Sequence, residues 1–181
     1  MHIYLADHAG FCYGVKRAVD LALNAPAEEG PWYTLGPLVH NREVVGFLAD
    51  KGIASVDDID EITDGGVIIR SHGIPQEVQS EIESRGLRII DATCPHVKQV
   101  QELAQKLVDE HYQVVIVGDK DHPEVQGIWS RAGNNSLVAR MPEDVADLPP
   151  CNKIAVICQT TIQETEYRQV VQALISHARE I

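Results

Sequence analysis

The stretch 113–124, QVVIVGDKDHPE, is a short run of β-branched residues that halts at a glycine, crosses a charged turn and reaches a proline followed by a glutamate. A run without polar alternation reads as a strand buried on both faces, as in a parallel sheet, and a proline after such a turn marks the first residues of a helix. The same grammar extends in both directions. Strands are expected near Ile3–Ala6, Trp32–Leu35, Val67–Arg70, Leu87–Ile90, Val114–Gly118, Leu137–Ala139 and Ile154–Cys158. Between them lie helical periods: Val15, Val19 and Leu23; Val44, Phe47 and Leu48; Val97, Val100, Leu103, Leu107 and Val108; Val170, Leu174, Ile175 and Ala178. Strands alternating with helices require crossover connections, so the expected class is α/β, with mostly parallel sheets covered on both faces. A loose internal repeat, one set of steps over 32–110 and a similar one from Gln113, divides the chain into two related three-layer α/β modules, 1–95 and 96–181.

With 181 residues, 44% of them hydrophobic, the chain is long enough to bury a core as one large domain or two small ones. Its net charge of -12 argues against nucleic acid and anionic membrane surfaces as partners, because both select clustered positive charge. No apolar run reaches the ~18 residues of a membrane span. The opening MHIYLADHAG lacks the basic and apolar segments of a leader, so the chain reads as cytoplasmic. Four scattered cysteines, Cys12, Cys94, Cys151 and Cys158, then suit metal binding, catalysis or inert burial better than disulfides.

Chemistry is concentrated where strands end. Open α/β sheets bind ligands outside the carboxyl ends of their strands. Those ends carry His40, His72, Cys94, His122 with Glu124, and Thr160 with Thr161, while Cys12 sits just ahead of the first helix. A helix N-terminus stabilises negative charge on sulfur, which favours the metal-binding form of Cys12 and Cys94. The ordinary alternative is that each cysteine is a small buried residue. The three histidines, beside helix-opening amides, suit an oxyanion; singly, each is as well read as a surface or satisfied core residue. Glu124 is either a proton carrier in a closed cleft or a plain N-terminal acid of its helix, and Thr160 and Thr161 are ligand contacts or caps of the last helix. Cys158 reads as core and Cys151 as a loop residue.

The segments GFCYGVKRA (10–18), LGPLVHN (35–41), SHGIP (71–75), DATCPHV (91–97), HPEVQG (122–127) and QTT (159–161) together resemble the 4-hydroxy-3-methylbut-2-enyl diphosphate reductase (LytB) family, in that family's order. The resemblance implies an iron-sulfur reductase of the methylerythritol phosphate route, making isopentenyl and dimethylallyl diphosphates by reductive dehydroxylation. It implies a 4Fe-4S cluster ligated by Cys12 and Cys94, a diphosphate held by His40, His72 and His122, Glu124 as proton donor, and Thr160 orienting it. It also implies a ferredoxin or flavodoxin as electron donor. The family has three modules in a trefoil, and its third cysteine and a Ser-x-Asn motif belong to a module expected beyond Ile181, whose sheet residues 1–12 would join. An exposed apolar surface and a bare strand edge are then expected, with Cys158 as a weak substitute ligand. Two other readings fit parts of the pattern. One is a noncatalytic iron-sulfur binding or sensing protein; the other is a metal-dependent phosphohydrolase using Asp7, His8, Asp91, His122 and Glu124.

Overall fold

In a computed structural model of the chain, the described residues are 4, 10–133 and 136–180, the last two by backbone alone. Ile3 and Ala6, the ends of the first expected strand, lie outside this set, as do Asp7 and His8. The elements run α1 (Tyr13–Leu23), β1 (Trp32–Leu35), α2 (Arg42–Asp50), β2 (Ile53–Val56), β3 (Gly66–Ile69), α3 (Gln76–Ser84) and β4 (Arg88–Asp91). They continue with α4 (Pro95–Asp109), β5 (Gln113–Val117), α5 (Pro123–Ala132), β6 (Ser136–Ala139), β7 (Cys151–Cys158), α6 (Glu164–Leu174) and β8 (Ala178–Glu180). Among the described residues no helix is long and apolar enough to cross a membrane.

Among the described residues two four-stranded sheets form, in the orders β2-β1-β3-β4 and β6-β5-β7-β8, and the strand pairs in both are parallel. The orders match strand for strand, so the internal repeat extends to topology. Two compact units result: 1–71 with 87–94, and 72–86 with 95–181. Unlike the contiguous modules 1–95 and 96–181 expected from the sequence, these units are interleaved, α3 grouping with the second.

Alternation along β5 explains the layering of the second unit. Val114 and Ile116 pack with Ala104 of α4 and Val125 and Ile128 of α5, whereas Val115 and Val117 face Val170 and Leu174 of α6. Each such side chain contributes roughly 1.5–3 kcal/mol on full burial, which explains why both faces of the central strand are aliphatic. In the first unit, Ala18 and Ala22 of α1 and Leu48 of α2 pack on Trp32 and Ile68.

Several expectations change in detail. The fully buried stripe of α1 is Gly14, Ala18 and Ala22, small residues that let the helix lie close to its neighbours; of the expected period Val15 and Val19 pack partly buried against the same core and Leu23 is exposed. In α4 the buried positions are Val97, Gln101 and Ala104, and Leu103 is exposed. The last helix stops at Leu174; Ala178, expected in its apolar period, begins β8 and pairs with Cys151. Cys151 therefore opens β7 instead of lying in a loop, and its Sγ approaches the Pro149 carbonyl at 3.0 Å. Phe11, Tyr13 and Leu23 are exposed in the first unit.

Gly66 sits opposite Trp32 in the β1–β3 ladder, and a Cβ there would run into the indole ring. Gly66→Ala should lower stability by about 1–3 kcal/mol through overpacking, read as a reduced urea midpoint of the chain.

Candidate functional site

Sequence order reverses sides at the centre of each sheet. The chain leaves β1 for β2 on one side and returns to β3 on the other, and it repeats this around β5 with β6 and β7. Turns leaving neighbouring strands in opposite directions open a crevice at the strands' carboxyl ends.

In the first unit the two thiols of interest come to one place. Cys12 is the N-cap of α1, with extended backbone (φ -62, ψ 164), and its side chain makes no capping hydrogen bond. The sulfur is exposed, flanked by Phe11 and Tyr13. Cys94 follows β4, where its N–H donates to the Ser71 carbonyl at 2.9 Å. Gly14, in the first turn of α1, rests on Cys94 so closely that a Cβ would lie 2.6 Å from Sγ. Arg17 fastens the helix there by donating to the carbonyls of Thr93 (3.1 Å) and Asp91 (3.4 Å). Glycine at 14 is thus required by close approach, and it brings the Cys12 turn against the Cys94 thiol.

His40 also belongs to this unit. It is exposed on the turn after β1 and lines a cleft of about 430 Å³ with Pro37, Val39, Asn41, Arg42 and Val45. Asn41 caps α2, its Oδ1 accepting from Val44 N–H at 3.1 Å. The neighbouring turns are joined by Ser71 N–H donating to the Leu38 carbonyl at 3.1 Å.

The second unit gathers His72, His122, Glu124 and Thr160. The rings of His72 and His122 meet edge to face, with centroids 5.7 Å apart and planes at 86°. His122 is the N-cap of α5; its Nδ1 accepts from the Glu124 N–H at 3.2 Å, which assigns the proton of a neutral ring to Nε2. Glu124 is only 1% exposed. Thr160 supplies both its oxygens: the N–H donates to Oε1 and the hydroxyl to Oε2, each at 2.9 Å. A buried carboxylate is costly without such donors, so this pairing spans the β5–β7 crevice by necessity. Glu124 is an acid in the first turn of α5 whose side chain is turned inward onto Thr160.

Thr160 and Thr161 are not caps of the last helix; Gln163 is the N-cap of α6, with Glu166 reaching back. The residue that sequence reasoning passed over is Gln159. It is buried, and its side chain joins the turns after β5 and β7. Its place inside the QTT segment was the available signal. Cys158 ends β7 packed on the α6 side of the core, and burial together with the Glu124 charge pushes its thiol up. That setting disfavours the thiolate a metal would need, so Cys158 is a poor substitute ligand. Among the described residues no group of three or more His, Cys, Asp or Glu side chains is disposed to hold a metal ion, and the phosphohydrolase reading has no assembled ligand set there.

The family described as LytB protein matches residues 3–181. The chain is 44% identical over 181 residues to a 4-hydroxy-3-methylbut-2-enyl diphosphate reductase of Geobacter metallireducens, covering all of this chain and 64% of that protein. A reductase of the same name from Pelobacter propionicus is 43% identical, with 65% of it covered. The one from Clostridium tetani is 44% identical over 186 residues, with 29% covered. The chain therefore spans less than two thirds of the length of these curated relatives. Among solved structures, an (E)-4-hydroxy-3-methyl-but-2-enyl diphosphate reductase, the terminal enzyme of the non-mevalonate pathway, superposes with a TM-score of 0.87 at 40% identity, over 98% of this chain and 65% of that one. The E-1-hydroxy-2-methyl-but-2-enyl-4-diphosphate reductase of Plasmodium falciparum does so at 0.87 and 30% identity, over 97% and 57%. With the match running from residue 3 to residue 181, the chain belongs to the LytB protein family.

Proposed function

We propose that this chain carries part of the working site of a cytoplasmic reductase that converts 4-hydroxy-3-methylbut-2-enyl diphosphate to isopentenyl and dimethylallyl diphosphates. The observation that carries this reading is the pair of thiols, Cys12 and Cys94, joined through Gly14. The names of its relatives support the substrate. The balance is an allylic C–O bond replaced by C–H: alcohol, two electrons and two protons give the hydrocarbon end and water. Such a site needs an electron source, a proton donor and a grip on the diphosphate.

The donor set fits an iron-sulfur cluster, because thiolates are its protein ligands and Cys12 presents its sulfur at a helix N-terminus. When bound by Cys12, Cys94 and a third cysteine from the length of the relatives that this chain does not span, a 4Fe-4S cluster supplies single electrons and an iron with Lewis acidity toward the hydroxyl. A ferredoxin or flavodoxin is the proposed source of those electrons. His40, His72 and His122 hold the diphosphate in this reading; for His122 the Nε2 proton is the donor. Glu124 carries the proton that leaves with the departing hydroxyl. Since its carboxylate lies beneath an exposed Thr160, the Thr160 hydroxyl is the outlet: it accepts the proton of a protonated Glu124 and passes its own outward.

Three measurements test the proposal in a protein that includes the remainder of the reductase. Anaerobic reconstitution with iron and sulfide should give a visible cluster absorption that Cys12→Ser and Cys94→Ser each abolish; absorption unaffected by both removes them as ligands. Glu124→Gln should retain cluster and substrate binding while turnover falls by about 10²–10⁴-fold, and normal turnover would end its acid role. Thr160→Ser should keep most activity and Thr160→Val should lose it, since only the former preserves the hydroxyl. Equal rates in the two variants would exclude the outlet.

A further inference from the structure

We propose that Gln159 is a positioning residue that sets the Glu124–Thr160 pair, a role that rests on the reductase reading of Glu124. Gln159 follows β7 and is 7% exposed. Its backbone N–H donates to the Val117 carbonyl at 2.9 Å, extending the β5–β7 ladder one step past the strand. From that fixed point its amide reaches both turns of the crevice. Oε1 accepts from the Asp119 N–H at 3.0 Å, and Nε2 donates to the Thr161 hydroxyl at 2.7 Å.

Both ends of this clamp lead to the same carboxylate. Asp119 begins the turn that continues through His122 to Glu124, and its N–H is held by the residue that follows β7. Thr161 follows Thr160, whose N–H and hydroxyl bind the two Glu124 oxygens. The approach is tight at Gly118, where a Cβ would lie 2.7 Å from Val125 Cγ2 and 3.0 Å from both Cβ and Oε1 of Gln159. The length and the donor-acceptor polarity of glutamine both matter: one arm must accept from an amide while the other donates to a hydroxyl. Loss of the clamp leaves the ladder intact and frees the two turns to move relative to each other. A displacement near 1 Å at a reacting group costs on the order of 10²-fold in rate.

The test pairs Gln159→Met, which keeps the size and removes both hydrogen bonds, with Gln159→Glu, which keeps the acceptor for Asp119 N–H and lets the Thr161 hydroxyl turn to donate. Amide hydrogen exchange on the chain itself should show the Thr160 N–H exchanging roughly tenfold faster in Gln159→Met, with Ile157 inside β7 unchanged. In the complete reductase kcat should fall by about 10²-fold with KM within about twofold, and Gln159→Glu should recover most of both losses. Should Gln159→Met fail to fold, Thr161→Val cuts one arm alone and should give a smaller loss of the same kind. Unchanged Thr160 protection, or exchange raised equally throughout the β5–β7 ladder, overturns the role. Glu124→Gln run in parallel separates the two ideas. If it stays active, the reading of Glu124 falls; if it is dead while Gln159→Met keeps wild-type kcat, the positioning role falls.

Discussion

One constraint governs both halves of the fold: at β1 and at β5 the following connections leave on opposite sides of a central parallel strand. Turns that diverge there have no regular ladder to hold them, yet they carry the reactive side chains. The two units solve the problem with different bonds. In the first, backbone suffices, with Ser71 N–H on the Leu38 carbonyl, and His40 remains exposed. In the second the join is made by side chains, Thr160 on Glu124 and Gln159 on Asp119, and the carboxylate is buried by the act of joining. A carboxylate so placed is retained only with donors on both oxygens, so structural and chemical demands fall on the same few atoms.

The sequence made the strand-helix alternation, the parallel class and the strand-end residues readable because buried aliphatic runs and glycine-proline punctuation are local signals. What escaped it was also physical. In β2 only Ile53 is buried, so Ile53–Val56 offers no aliphatic run. In α3 the single buried residue is Ile82, and no apolar period emerges. Ala178 continues the helical phase of Val170 and Leu174, but the chain turns at His177, whose N–H donates to the Leu174 carbonyl at 2.9 Å. The Thr160–Glu124 contact joins residues 36 positions apart, and the Gln159 contact to Asp119 spans 40. No window of local sequence contains such contacts.

The internal repeat separates what the scaffold provides from what individual residues add. The run α1-β1-α2-β2-β3-α3-β4 recurs as α4-β5-α5-β6-β7-α6-β8, and a cysteine stands immediately before the opening helix of each. The matched position is the residue just ahead of a helix's first turn, so a single backbone solution serves twice. The turns that follow the strands diverge instead: His40 after β1 lies on an exposed, asparagine-capped turn, whereas His122 after β5 is itself the cap and lays Glu124 inward. The two units thus share a strand order and differ in the side chains that their strand ends carry, one turn left open and the other closed over a carboxylate.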